Sequence, residues 1–261
     1  MHIPDGLLAP NTYLPALAVA LPLWFVAIRR VAAELDEALI PRLAVVTAAA
    51  FVLTTLMIPL PGGSSAHLVG VPLLALLFGW WTAFLAYSAV LLLQTLLLGT
   101  GGITALPVNA LAMGGVGAAV TLSLWRLLGA RHRRRAGAPP VPGAPVIIAT
   151  VGGIVAAAAV LAGVLGLQPV LARDADGAPL FFPFPMTITL PALVLPHLII
   201  GLGEGVVTWI VLRQLAWHGW GGVAAAEAAG LDAAGPDTDG PDTADPDATG
   251  SGPTGREVPR E

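Results

Sequence analysis

The second residue is a histidine, set directly behind Met1 in the opening MHIPDG. A histidine there has a geometric property that an internal one lacks. The free α-amine, the backbone nitrogen of His2 and its Nδ1 close adjoining five- and six-membered chelate rings, which supplies three nitrogens in one plane and leaves one corner open. Planar nitrogen coordination suits Cu(II) or Ni(II), whereas Zn(II) prefers a tetrahedron and Mg(II) or Ca(II) prefer oxygen. Cysteine is absent, so thiolate ligands and disulfides are excluded. A second imidazole would complete the square. His67, in PGGSSAH, is the candidate, because that Pro/Gly/Ser stretch is loose enough to bring it to the amine. Ser64 and Ser65 in the same stretch join the supporting candidates.

Other polar residues stand in apolar sequence, where they are costly. Glu204 lies in PHLIIGLGEGVVTW, and an acid inside a crossing helix is a functional hypothesis by default. His197 precedes it by two helical turns on the same face and reads as a supporting group that begins the last helix. Gly201 and Gly205 give the small-xxx-small spacing of close helix packing, so a buried hydrogen-bonding strip stands beside a transport role for Glu204. Gln94, Asn109 and Thr104 are expected to act as glue between helices. The stretch GTGGITALPVNALAMGG is too glycine-rich and proline-broken for a lipid-facing helix, so it is expected to line the bundle or a cavity.

The elements that must position these groups are membrane-spanning. Hydrophobic residues make up 56% of the 261 and charged ones only 11%, against about a quarter charged in soluble domains. Apolar runs near 11–28, 41–60, 66–79, 80–98, 103–128, 145–167 and 187–213 predict an all-α polytopic membrane protein of about seven transmembrane helices. The third and fourth are separated only by the Gly79-Trp80-Trp81 turn. With that split, Arg29, Arg30, Arg42, Arg126, the RHRRR run and Arg213 fall on one face, and Arg173 is left opposite. The positive-inside rule then puts the amino terminus and the His67 loop outside and the carboxyl end in the cytoplasm of a plasma-membrane protein. His132 and His218 fall at the inner end, out of reach of His2. The first residues carry Asp5 in place of a basic region, unlike a cleaved signal peptide. The net charge of −4 owes much to residues 221–261, a Pro, Gly, Asp and Thr mixture expected to be a disordered cytoplasmic tail behind a 1–220 membrane domain.

The stretches MHIPDG, GGSSAHLVG around His67, QTLLLGTGGITALPVNALAMG from Gln94 to Gly114 and HLIIGLGEGVVT from His197 to Thr208 together resemble one family. It is the substrate-binding component of energy-coupling-factor transporters for cobalt and nickel, the CbiM/NikM type. The resemblance covers residues 1–215 in the family's order. It implies that Co2+ or Ni2+ is held by Met1, by the amide and imidazole of His2, and by His67. It also implies partners: a transmembrane coupling subunit, two cytoplasmic ATPases and a small two-helix membrane subunit. Two residues depart from the family pattern. Ala66 stands where glycine is usual before the loop histidine, and Thr100 where an aspartate is usual in the GDGG turn, which puts in doubt any role of that turn in attracting the cation.

The leading reading is therefore a metal-capturing subunit with no catalytic power and no organic cofactor. The alternative is a self-sufficient secondary transporter or channel that uses Glu204. A hydrolase is disfavoured because no H-E-x-x-H, G-x-S-x-G or paired aspartates occur within the helices. The basic run reads as an inner-face anchor or lipid contact, with no nucleic acid indicated.

Overall fold

In the computed structural model, residues 2–55, 58–59, 65–133, 141–220 and 222 are described. Met1, Ser64 and the acidic tail from 223 onward lie outside them, and of the basic run only the backbone of 131–133 lies within. The elements in chain order are α1 (Pro10–Glu34), α2 (Leu39–Thr55), the two-residue strands β1 (Ile58–Pro59) and β2 (Ser65–Ala66), and α3 (Val71–Leu98). There follow α4 (Leu106–Asn109), a π-helix (Ala110–Gly117), α5 (Ala118–Arg133), α6 (Gly143–Leu171) and α7 (Met186–Trp217). Five helical stretches are long and apolar enough to cross a bilayer, and α2 is a shorter apolar helix. The chain is a multi-pass membrane protein, as the apolar runs require.

Local chemistry sets the boundaries. Proline occupies the first helical turn of α1, α3 and α4, where a missing N–H costs nothing. The Asp36 carboxylate accepts the Leu39 N–H at 2.6 Å and so caps α2. Gly99 ends α3 in the left-handed region, its N–H returned to the Gln94 carbonyl.

The expected break between the third and fourth runs is present inside α3, at Gly79, with φ 80° and ψ 179°. Its two limbs, 71–78 and 80–98, run back to back. On α2, Ala50 and Thr54 are one turn apart; Gly70 packs on Ala50, and Gln94 donates to the Thr54 hydroxyl. A straight helix would separate residues 70 and 94 by about 36 Å, so the chain must reverse at Gly79. The reversal sits at the arginine-bearing end: Arg30 lies over the Trp81 ring and Arg42 over that of Trp220.

α6 and α7 form the tightest helix pair. A Cβ on Gly201 would lie 3.3 Å from the Val151 Cα, and one on Gly205 3.0 Å from the Ile147 Cα, so the small-residue stripe is packing surface. One expectation is corrected here. His197 does not begin the last helix; α7 starts at Met186, and His197 is about three turns in, just after Pro196. The helix starts earlier because Pro185, extended, serves as its N-cap and Thr189 bonds back to the Phe184 and Pro185 carbonyls.

The Gly79 backbone conformation is open essentially to glycine alone, at a cost of about 1–3 kcal/mol for other residues. Gly79→Ala should therefore lower the thermal midpoint of the detergent-solubilised protein. Gly203→Ala, with nothing within 4 Å of its Cβ, should leave it unchanged or raise it.

Candidate metal centre

Residues 2–9 form neither helix nor strand, yet Ile3 and Ala9 are 1% and 2% exposed. Buried irregular backbone must find partners for its N–H and C=O groups. Asn109 supplies them for Ile3: its Oδ1 accepts the Ile3 N–H and its Nδ2 donates to the Ile3 carbonyl, both at 3.0 Å. A carboxamide paired this way acts as a one-residue neighbouring strand. Asp5 accepts from the N–H of Ile103 at 3.0 Å, that of Thr104 at 2.9 Å and the Thr104 hydroxyl. Those bonds, led by the hydroxyl, hold its carboxyl below the usual range. Further along, the Gln168 Oε1 accepts the Ala9 N–H at 2.9 Å, and the Leu7 carbonyl accepts the Phe182 N–H at 3.3 Å. The segment is thus tied to the turn before α4, to α6 and to the approach to α7.

Glycine makes the close approach possible. Gly101 has φ 85°, and a Cβ there would lie 3.5 Å from the His2 Cβ and 3.9 Å from the Asn109 Nδ2. A Cβ on Gly102 would collide with the Asp5 backbone. The glycine-rich turn is the floor on which the amino-terminal segment rests. Just beyond Asn109 the helix widens into the π-helix, a rare form found often at functional sites.

The second chain segment at the site is 65–70. After β2, which pairs antiparallel with β1, His67 is 2% exposed and its Nδ1 bonds to the Leu68 carbonyl at 2.8 Å. That bond places the proton on Nδ1 and the lone pair on Nε2 of the neutral ring. Two residues on, Glu204 of α7 accepts the Val69 N–H at 2.6 Å and the Gly70 N–H at 2.7 Å, one on each carboxylate oxygen.

The two segments meet at their histidines. The rings of His2 and His67 stack with centroids 4.8 Å apart and planes inclined by 21°. Burial holds both imidazoles neutral: His67 is lowered to about 4 and His2 well below its ordinary 6.5, with the His67 ring adding to the effect at His2 and the His197 ring at His67. Neutral imidazole is the form that binds metal ions. The His2 Nε2 is buried without a hydrogen-bond partner, and so is the Nε2 of His197, whose Nδ1 bonds to the Leu193 carbonyl at 2.6 Å. Among the described residues no three His, Asp or Glu side chains converge as a metal cage, so side chains offer this site two imidazoles.

Of the candidates read from the sequence, His2, His67 and Asn109 come together, with Glu204 one step behind His67. Met1 and Ser64 lie outside the described residues, and of Ser65 only the backbone, in β2, is described. Gln94 is helix glue, as expected, through the Thr54 hydroxyl. Asn109 and Thr104 are not: they serve the irregular amino-terminal backbone. Asp5 and Gln168 do the same work and were not singled out from the sequence. Gln168 carried a signal, a lone buried amide beside Pro169 at the end of an apolar run.

Comparison with known proteins identifies what the arrangement belongs with. The family model described as CbiM, cobalt uptake substrate-specific transmembrane region, matches residues 2–219. A fused nickel transport protein, NikMN, of Rhodobacter capsulatus is 38% identical over 216 residues, covering 80% of this chain and 59% of the relative. A probable fused nickel transport protein, LarMN, of Lactiplantibacillus plantarum is 39% identical over 216 residues, or 82% and 63%. The chain thus spans about six tenths of the length of these fused relatives. A putative metal transport protein of Methanocaldococcus jannaschii is 36% identical over 214 residues, 81% of this chain and 90% of the relative. The crystal structure of a truncated transition metal transporter superposes with a TM-score of 0.76 at 35% identity, covering 84% of this chain and 99% of that one.

Two outcomes follow from the site's geometry. Asn109→Ala strands two buried groups of Ile3 at about 1–3 kcal/mol, so amide exchange in residues 2–8 should accelerate about tenfold to a hundredfold while α6 exchanges as before. The pH dependence has a definite sign. The unfolded chain takes up protons near 6.5 that the folded one refuses until about 4 at His67. Stability is therefore full above about 6.5 and declines as the pH falls toward about 4, and His67→Ala should flatten thermal midpoint against pH in that window.

Proposed function

This chain belongs to the CbiM family, the cobalt uptake substrate-specific transmembrane region, and from that premise we propose that it captures Co2+ or Ni2+ for import. The observation that carries the reading is the stacking of His2 on His67, two residues far apart in sequence, beneath an amino-terminal segment pinned by Asn109 and Asp5.

The chemistry of the donor set supports it. The amine of Met1, the amide nitrogen and Nδ1 of His2 and the lone-pair nitrogen of His67 make four nitrogens in a plane for the transported ion. Asn109 fixes Ile3, the residue that follows the chelating pair, so the bite of the chelate is set before the ion arrives. Two neutral imidazoles need lose no proton to bind. The amide nitrogen must lose one, so affinity falls with falling pH. Four nitrogens would hold Ni(II) more tightly than Co(II) and Cu(II) most tightly of all, which leaves selectivity to geometry and supply.

In this reading the site faces outward, with the amino terminus outside and the carboxyl end in the cytoplasm. The clustering of Arg30 and Arg42 with Trp81 and Trp220 at the opposite end from Asn109 and Gln168 supports that orientation. Import is then driven by separate subunits: two cytoplasmic ATPases acting through a transmembrane coupling subunit, with a small two-helix membrane subunit. The fused relatives, longer than this chain, suit such a division of labour. The competing reading makes Glu204 the carrier in a self-sufficient transporter. Both Glu204 oxygens already hold buried backbone N–H groups, which favours the first reading over it.

Adding residues ahead of Met1, or acetylating it, should abolish Ni2+ and Co2+ content measured by elemental analysis while the protein stays folded. His67→Ala should weaken Ni2+ binding by at least about a hundredfold, because even outer groups of metal sites are worth about 10–100-fold. His218→Ala, beyond the far end of α7, should change nothing. Equal losses in His67→Ala and His218→Ala, or uptake by this chain alone in liposomes without an ATPase, would overturn the reading.

A further inference from the structure

We infer that Glu204 is a positioning residue for the ion site: through the amides of Val69 and Gly70, just ahead of α3, it fixes where His67 stands relative to α7. The inference rests on the proposed metal site and deepens it.

Glu204 is 3% exposed, at the middle of a spanning helix, where an acid needs strong compensation. It finds that compensation in backbone alone. The Val69 and Gly70 N–H groups lie in the irregular stretch that leads into α3, at the helix end whose dipole favours negative charge. Neither bond is incidental, since two buried donors would be stranded if the carboxylate left.

The segment is gripped from the other side as well. Gly70, the α3 N-cap, has φ 79°, and a Cβ there would lie 2.8 Å from the Ala50 Cβ of α2. Residues 69–70 are therefore held between α2 and α7, with Glu204 the polar half of the grip. His67 is two residues upstream, so its Cα stands within about 7 Å of that anchor along the chain. Its ring is oriented from the same side by the bond to the Leu68 carbonyl. Little slack separates the Glu204 carboxylate from the His67 ring.

This geometry assigns Glu204 a role that neither a cation carrier nor plain helix glue would have. A carrier would have to release its amides to take up a cargo. Glue would join helix to helix, whereas Glu204 joins a helix to an irregular segment. The residue acts on the ion through the backbone of 67–70 without touching it.

The test uses the full chain in nanodiscs with an unextended amino terminus. Ni2+ affinity and the visible absorption of the planar nitrogen site are measured for wild type, Glu204→Gln and Ser88→Ala. Ser88→Ala removes a half-buried bond between α1 and α3, from the Trp24 Nε1, away from the site. Glu204→Gln keeps one acceptor oxygen but turns a donor toward the second N–H. It should bind Ni2+ about 10–100-fold more weakly, with an altered absorption band, while Ser88→Ala lowers the thermal midpoint at wild-type affinity. Wild-type affinity in Glu204→Gln, or equal losses in both variants, would overturn the inference. A second measurement is independent of metal: amide exchange of residues 65–70 in metal-free protein should accelerate in Glu204→Gln and stay as in wild type for Ser88→Ala. Unchanged exchange in Glu204→Gln overturns the inference whatever the metal result. Accelerated exchange in a protein that binds no Ni2+ even as wild type supports the anchor and sinks the capture reading instead.

Discussion

Irregular backbone within a membrane protein must have every polar group satisfied from within, because hydrocarbon offers no partners. The architecture here follows from that constraint. Two stretches, 2–9 and 67–70, are neither helix nor strand, and Ile3, Leu8, Ala9, His67 and Val69 in them are buried against the bundle. Asp5, Asn109, Gln168 and Glu204 each spend their oxygens on the backbone of such stretches or of the turn beside them. The polar residues that look expensive in a hydropathy plot are the ones that let non-helical chain exist at that depth.

The arrangement also explains the density of glycine around the site. Asp5 can reach the turn only because Gly102 brings no side chain between them, and Gly101 supplies the left-handed φ of that turn. Gly70 does the same for the approach of α3 to α2. Backbone packed on backbone is stiff, and stiffness suits a site whose proposed donors include main-chain nitrogen. Metal centres tolerate displacements of only about half an ångström before affinity suffers.

Charge is kept out of the same region. His2 and His67 are buried enough to stay neutral through the physiological range, so each presents a lone pair rather than a proton. Glu204, the acid beside the loop, is consumed by amides. Imidazole nitrogen suits late first-row metals, whereas Mg2+ and Ca2+ prefer oxygen.

Much of this was legible in the chain. Apolar runs located the helices to within about six residues at their ends, because hydrophobic thickness and helix rise leave limited freedom. The glycine at 79 marked the reversal within α3, because its backbone conformation is closed to other residues. The pairing of His2 with His67 could be named from coordination chemistry, since only a histidine at position two closes those chelate rings. Which polar groups hold the segments in place could not. Asn109 and Gln94 are both single amides in apolar surroundings, yet one clamps Ile3 and the other ties two helices. Sequence gives each its hydrogen-bonding capacity. The partner is decided only when distant segments meet, since hydrogen bonding is local in space while the chain brings residues 3 and 109, or 69 and 204, together only through the packed bundle.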